Sequence, residues 1–359
     1  MLRAGLVGLP SSGKTTLFQL MTSAREAPRT QGRVEANVGI SRVPDDRLDR
    51  LTALFQPKKR VPATVEFADM AAGRGEASSL VDVAAYRNAD ALLHVVRAFR
   101  DPAVPHPKSS IDPVRDVRTV EEELILADLG GVERRLERLE KEIRKTPSAE
   151  LKKEYELLGP ARACLDNGRA LRTLGLSPED SRRLRGFQFL SAKPLLVVVN
   201  LDEADASQAE TPKAAEHIAP FLKDTGAHAV AVCAKIELEI AQLEPADAQA
   251  FMADLQLTHS GLDRVIRAAY ELLGYISFFT VGEDECRAWS IPRNTPAQAA
   301  AGAIHSDLER GFIRAEVVPW DRLLDRGSLA ACRDHGELRL EGKEYVVKDG
   351  DVMTIRHAT

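Results

Sequence analysis

Residues 8–15 read Gly-Leu-Pro-Ser-Ser-Gly-Lys-Thr, which places two glycines, a lysine and a threonine at the spacing G-x-x-x-x-G-K-[ST]. Glycines at these positions let backbone N–H groups turn inward around an anion, and the lysine adds a positive charge. The stretch therefore predicts a loop that binds the phosphates of a nucleotide. Lys14 would bridge the terminal phosphates and is the predicted catalytic residue. The predicted nucleotide-binding residues of this loop are Gly8, Pro10, Ser11, Ser12, Gly13, Lys14, Thr15 and Thr16.

Two oxygen-bearing side chains are candidates for a Mg²⁺ site. The Thr15 hydroxyl follows the lysine directly, as in other phosphate loops that bind Mg²⁺. Asp69 ends the apolar run ATVEFAD, from which its carboxylate could reach the same ion through water. The alternative for Asp69 is an ordinary cap at the end of a strand.

A second motif predicts how the base of the nucleotide is read. Asn200-Leu201-Asp202-Glu203 ends the run PLLVVVN, at the place where guanine-binding proteins with this loop carry Asn-Lys-x-Asp. Leu201 replaces the lysine that covers the base, and Glu203 replaces the aspartate that accepts two hydrogen bonds from guanine. We therefore expect a weakened preference for guanine, with Asn200 or a backbone carbonyl accepting from the amino group of adenine. Cys233 and Ala234 follow the next strand, where a loop at the edge of the base belongs; a helix cap is the alternative for residues 200–205.

Short, continuous apolar runs alternate with helical patterns along much of the chain. Such runs are typical of parallel strands that are covered on both faces, and the alternation predicts an α/β fold with a doubly wound, mostly parallel sheet. The segment 46–55 is one predicted helix, with Asp45 as its cap. The predicted strands are 4–9, 38–43, 63–69, 91–96, 194–200 and 229–234.

The interval of about 98–193 is too long for one crossover and predicts a helical insertion at 121–190. Its apolar residues recur at steps of three and four, which is heptad spacing, and Pro147 separates two such series. An antiparallel helical hairpin that projects from the sheet domain is the simplest structure. The alternative is two amphipathic helices packed on the core. The two series are Leu129, Val132, Leu136, Leu139 and Ile143, then Leu151, Tyr155 and Leu158.

Residues 276–359 read as short strands and turns and predict a separate small α+β domain. Alternation is clear in LRLEGKEYVV, where Glu-Gly-Lys supplies a turn. The predicted domains are thus a nucleotide-binding domain of residues 1–120 and 191–275, the insertion, and this C-terminal domain.

Composition narrows the classes of protein to consider. The 359 residues carry a net charge of −5, which predicts no DNA partner, although a local basic face is compatible with it. The four cysteines are scattered without a Cys-x-x-Cys pair, which argues against zinc and disulfides and favours a reducing cytoplasm. We expect no membrane span, because no apolar run approaches the required ~20 residues.

Taken together, these motifs resemble the YchF-type Obg-like ATPases, a branch of the translation-factor-related P-loop GTPases. The resemblance covers nearly the whole chain. It is carried by GLVGLPSSGKTTLF, VEEELILADLGGVERRLERLEK (120–141), VVVNLDEAD (197–205) and, most specifically, RAWSIPRNTPAQAAAGAIHSDLERGFIRAEVV (287–318). The resemblance implies a coiled-coil insertion and a C-terminal TGS domain, which is a β-grasp module.

The resemblance also implies ATP bound in preference to GTP, Mg²⁺, slow ATP hydrolysis, a cytoplasmic location and association with the ribosome or a ribosomal subunit. A basic cleft in the family's architecture implies contacts with the phosphate backbone of RNA. The arginines that could contribute face a simpler alternative, a solvated helix surface; they are Arg134, Arg135, Arg138, Arg144, Arg310 and Arg314.

The chain departs from the family pattern at three positions that bear on catalysis. Arg33 stands where the family has a threonine that helps hold a loop over Mg²⁺, and Ala72 stands where it has a glycine whose N–H reads the terminal phosphate. Ser11 replaces an asparagine that is a plausible K⁺ ligand, which puts a K⁺ site in doubt. We therefore expect nucleotide binding to be retained and hydrolysis to be slower than the family's. A slow ATPase that acts as a ribosome-associated switch and a non-hydrolysing nucleotide-dependent module that binds RNA or the ribosome both remain open.

Overall fold

The computed structural model describes residues 3–22, 37–69 and 83–358. The chain divides into two compact units. The first comprises Met1–Gly39 and Glu66–Ala269, and the second comprises Ile40–Val65 and Tyr270–Thr359. Within the described ranges, no helix combines the length and the apolar character needed to cross a lipid bilayer.

Within the residues that the structure describes, the strands form two six-stranded sheets. In chain order these are β1 (Arg3–Val7), β2 (Asn37–Arg42), β3 (Lys59–Val61), β4 (Thr64–Asp69), β5 (Ala91–Arg97), β6 (Leu195–Asn200), β7 (His228–Val232), β8 (Tyr275–Thr280), β9 (Glu285–Pro292), β10 (Phe312–Pro319), β11 (Arg339–Glu341) and β12 (Asp351–His357).

The α-helices differ widely in length, and the longest has 33 residues. They are α1 (Lys14–Thr22), α2 (Asp46–Phe55), α3 (Pro113–Lys145), α4 (Ala149–Asp166), α5 (Pro178–Leu184), α6 (Ala219–Thr225), α7 (Ala234–Ile240), α8 (Pro245–Asp254), α9 (Gly261–Leu272), α10 (Ala297–Ile304), α11 (Ser306–Arg310), α12 (Trp320–Arg326) and α13 (Leu329–Asp334).

The first sheet has the strand order β2-β4-β1-β5-β6-β7, and the pairs β4–β1, β1–β5, β5–β6 and β6–β7 are parallel. Every residue of β5 and β6 is buried, as the continuous apolar runs predict for strands covered on both faces. The six predicted strands and the α/β fold class are confirmed. Parallel register places the carboxyl ends of β1, β4, β5 and β6 at one edge of the sheet, where the candidate functional residues follow.

The predicted helical hairpin is formed by α3 and α4, which pack on each other. Asp112 and Ser148 cap the two helices by accepting hydrogen bonds from Arg115 N and Leu151 N. The first part of α3 packs on the sheet through Val117, Val120 and Leu124, whereas its later part packs on α4. Both alternatives therefore describe part of the helix. The buried residues of the hairpin core include Val132, Leu136, Leu139, Leu158 and Leu165.

A buried polar cluster fixes the base of this hairpin. Asp128 of α3 accepts hydrogen bonds from Leu190 N (3.0 Å), Ser191 N (2.7 Å) and Ser191 Oγ (2.8 Å). Glu121, about two helical turns earlier, forms an ion pair with Arg172. Burial raises the pKa of both carboxyl groups, and the hydrogen bonds and the guanidinium oppose that rise.

The second unit is built on a sheet with the strand order β11-β10-β12-β8-β9-β3. Its α+β character is confirmed, with α10 packed on the core of the sheet. The predicted turn in LRLEGKEYVV is present, since Tyr345 N donates to Gly342 O. β11 pairs with β10, and Val346 forms an isolated bridge with Pro296.

Helix α2 has the predicted bounds, and Asp45 caps it by accepting from Arg47 N at 3.0 Å. The helix belongs to the second unit, where it contacts α12 and β9. Strand β3 pairs with β9 in the sheet of that unit. The domain bounds predicted from the sequence differ from this division into two units and remain a prediction.

Candidate nucleotide-binding site

The glycine-rich loop connects β1 to α1, as its sequence predicts. Gly8 has a φ of +150°, and a Cβ at this position would lie 2.4 Å from Val95 O of β5, so only glycine fits. Gly13 has a φ of +96°, and its carbonyl oxygen accepts from Leu17 N at 3.0 Å, in the first turn of α1. The loop thus leads directly into a helix N-terminus, whose N–H groups and dipole favour anions. Ser11 has a φ of +62°, and Ser12 is buried.

Lys14 is held inside this loop. Its Nζ donates to Gly8 O at 2.9 Å and to Leu9 O at 2.8 Å. Burial lowers the pKa of the ammonium group, and the nearby Asp69 carboxylate opposes that change. The positive charge therefore lies among the backbone groups that are predicted to surround the phosphates.

The structure brings together the two predicted Mg²⁺ ligands. Thr15 Oγ1 donates to Asp69 Oδ2 at 2.9 Å, and Asp69 is the last residue of β4, next to β1. Burial raises the pKa of Asp69, whereas the Thr15 hydroxyl and the Lys14 ammonium lower it. Within the described ranges, no group of three or more His, Cys, Asp or Glu residues could hold a metal ion. A hydroxyl and one carboxylate suit a Mg²⁺ ion that takes its remaining ligands from phosphates and water.

Asn200 joins the phosphate loop to the loop that follows β7. Its Nδ2 donates to Ser12 O at 3.1 Å, and its Oδ1 accepts from Ala234 N at 3.0 Å. The side chain is 3% exposed. Its amide oxygen thus already accepts from one backbone N–H.

The other residues of the predicted base motif differ in exposure. Leu201 is buried in the hydrophobic core, and its N–H donates to Val232 O. Glu203 begins a 3-10 helix (Glu203–Gln208), and its Oε2 lies 2.5 Å from Lys235 Nζ. Cys233 and Ala234 are both buried at the start of α7. Burial raises the pKa of the Cys233 thiol, which lies at the N-cap position of α7.

Sequence reasoning missed Phe99 as a residue of this site. Ala98 N donates to Asn200 O, and Arg100 N donates to Asp202 Oδ2, both at 2.9 Å, so Phe99 lies between two contacts with the base motif. The Arg97 guanidinium lies over the Phe99 ring at 4.4 Å from its centroid. The signal in the sequence is an aromatic residue just after β5, which is the neighbour of β6.

Some residues singled out in the sequence are not part of the described site. Arg33 and Ala72 fall outside the residues that the structure describes. Arg135 forms ion pairs with Glu154 and Glu142 on the hairpin surface, and Arg310 pairs with Asp307. For these two arginines the structure therefore favours the solvated helix surface. All four cysteines are buried and free.

Comparison with curated proteins identifies the family. The chain is 41% identical to the ribosome-binding ATPase YchF of Bacillus subtilis over 362 aligned residues, which cover 99% of each protein. The chain belongs to the YchF family. It is also 37% identical to Obg-like ATPase 1 of rice, covering 98% of this chain and 91% of that protein.

Two further comparisons agree with membership of the YchF family. The YchF GTPase of Schizosaccharomyces pombe superposes with a TM-score of 0.86 at 28% identity, covering 99% of this chain and 97% of that one. A family model named YchF-GTPase_C, described as a protein of unknown function (DUF933), matches residues 275–358. This range lies within the second unit.

Proposed function

We propose that this chain is a Mg²⁺-dependent nucleotide-binding protein that prefers ATP to GTP, hydrolyses ATP slowly and acts in the cytoplasm as a ribosome-associated switch. The observation that carries the proposal is the arrangement around Lys14. Its ammonium group, the loop between β1 and α1, and the Thr15–Asp69 pair lie at one edge of the sheet. A triphosphate tail matches this combination of backbone donors, one ammonium and two oxygen ligands.

Thr15 and Asp69 would hold Mg²⁺ together with phosphate oxygens. The bound ion would supply positive charge that draws the phosphate oxygens together and offsets charge that develops during phosphoryl transfer. Lys14 would contact the terminal phosphates from the protein side. The Asp69 carboxylate must be ionised for this role, and its raised pKa makes the site sensitive to acid.

Preference for ATP rests on the side chains near the base. The buried Leu201 leaves no lysine stem at that position to cover a guanine, and the longer Glu203 replaces the aspartate that guanine needs. Phe99 offers an aromatic face at the same edge of the sheet. Leu201, Glu203 and Phe99 together suit a purine that is held by stacking and by hydrogen bonds to one or two backbone groups.

Slow hydrolysis follows from the residues at positions 33 and 72. Phosphoryl transfer depends on positioning and on stabilisation of charge, so a lost loop contact raises the barrier while binding persists. Arg33 and Ala72 in place of threonine and glycine favour a second candidate, a non-hydrolysing module whose nucleotide occupancy controls binding of RNA or the ribosome. Ser11 stands in place of an asparagine that is a plausible K⁺ ligand. We therefore expect the same rate of ATP hydrolysis in KCl and in NaCl.

The ribosomal partner is proposed from the relatives, which are named ribosome-binding ATPases. Contacts with the phosphate backbone of RNA would make such binding weaken as salt is raised.

Single-turnover release of phosphate from ATP, measured with and without ribosomes, separates the two candidates. Slow release that Lys14→Ala abolishes supports the switch, and zero release together with measurable ATP affinity supports the module. Lys223→Ala, at an exposed lysine of α6, is the matched control and should change neither quantity. Absence of ATP binding by the unmodified chain at saturating Mg²⁺ would contradict both candidates.

A further inference from the structure

An ion pair joins the two loops that flank the proposed base pocket. Lys235 Nζ lies 2.5 Å from Glu203 Oε2. Glu203 follows β6 and Lys235 follows β7, and these two strands are paired at Asn200 and Val232. The Asn200–Ala234 hydrogen bond already sets the spacing of the two loops beneath the pair.

The pair has little importance for the stability of the fold. The side chains of Lys235 and Glu203 are 66% and 43% exposed, and exposed ion pairs contribute little free energy because water and salt screen them. Its effect is therefore on the position and charge of the Glu203 carboxylate. The Glu203 contact raises the pKa of Lys235, so the ammonium group stays protonated at neutral pH, with Glu239 a weaker second contributor.

We infer that Lys235 is a specificity-determining residue that turns the proposed site away from GTP by occupying the Glu203 carboxylate. This inference rests on the proposed function. Reading guanine requires both carboxylate oxygens, one for N1–H and one for the exocyclic amino group. The ammonium group at Oε2 holds the carboxylate toward Lys235 and offsets its charge, so the two oxygens are not both free to face N1–H and the exocyclic amino group of guanine. Adenine has no donor at N1 and no amino group at C2, so it loses nothing from this arrangement.

Measurement of ATP and GTP affinities by calorimetry with Mg²⁺ tests the inference. Lys235→Met frees the carboxylate and should raise GTP affinity relative to ATP by roughly two- to fivefold, because the gain cannot exceed the free energy that an exposed ion pair holds. Lys235→Arg keeps the ion pair and should keep the preference for ATP. Glu239→Gln removes the other nearby carboxylate and is the matched control; it should leave the ratio of affinities unchanged.

The double variant Lys235→Met with Glu203→Gln separates the carboxylate from other effects. A glutamine side chain offers one acceptor oxygen, so the gain in GTP affinity should disappear. Raised salt should reduce the preference of the unmodified chain for ATP over GTP, because salt screens the Lys235–Glu203 ion pair. The ratio of the two affinities should not change with salt in Lys235→Met.

The outcomes are distinguishable. If the unmodified chain prefers ATP and Lys235→Met leaves the ratio of affinities unchanged or moves it toward ATP, the inference is overturned and the proposed function stands. If the unmodified chain binds neither nucleotide, the proposed function fails and the inference fails with it. A shift toward GTP that persists in the double variant would also overturn the inference, since the carboxylate would not be its cause.

Discussion

Replacing Asn200 with alanine should destabilise the first unit and weaken ATP binding together. The substitution removes two hydrogen bonds and leaves Ser12 O and Ala234 N–H without their partner. Ser12 and Ala234 are 2% and 5% exposed, so water replaces the lost bonds poorly. Each unpaired buried group costs about 1–3 kcal/mol, and partial relaxation brings the expected loss in the free energy of unfolding to about 2–4 kcal/mol.

Urea unfolding at equilibrium measures this loss, with the unit's m-value expected to stay unchanged. ATP affinity should also fall, because Ser12 belongs to the phosphate loop. Asn88→Ala, at an exposed asparagine of the same unit, is the matched control and should change the free energy of unfolding by no more than about 0.5 kcal/mol. Equal losses for the two variants would refute the role assigned to Asn200.

Three further predictions concern the loop, the metal ligand and the hairpin. Gly13→Ala should weaken ATP binding and destabilise the loop by at least about 1 kcal/mol, because its φ is +96° and the new Cβ would lie 2.4 Å from Asn200 Nδ2; calorimetry and urea unfolding check this, and wild-type values for both would refute it. Acidification should weaken Mg²⁺·ATP binding through protonation of Asp69, starting at a higher pH than for an exposed aspartate because burial raises its pKa; Asp69→Asn should bind weakly without this pH dependence, and parallel profiles would contradict the assignment. Leu158→Ala should lower the free energy of unfolding by about 2–5 kcal/mol, since this side chain is fully buried between α3 and α4, while ATP affinity measured under native conditions stays the same.

Elements that are determined by neighbouring residues in the chain could be predicted from the sequence. The strands β1, β5 and β6 of the first sheet are buried on both faces, so each appears as a continuous apolar run. Asp45 and the apolar spacing after it fixed the bounds of α2. The phosphate loop was also predictable, because its glycines meet requirements of φ and close approach that few other residues satisfy.

Features that depend on distant partners were not predictable. The pairing of β3 with β9 joins residues more than two hundred positions apart, and nothing in Lys59–Val61 indicates that partner. β11 alternates like one arm of a hairpin, yet it pairs with β10 because tertiary packing decides its neighbour. The sequence motif predicted that Asn200 belongs to the site. The two hydrogen bonds of its side chain were not predictable, because they depend on where Ser12 and Ala234 lie in the fold.

Competition between ATP and GTP for the purified chain, titrated with Mg²⁺ and followed by calorimetry, tests the central claim most directly. Both nucleotides should bind at one site, ATP should bind more tightly than GTP, and Lys14→Ala should abolish the binding of both. Tighter or equal binding of GTP, or binding that survives Lys14→Ala, would contradict it.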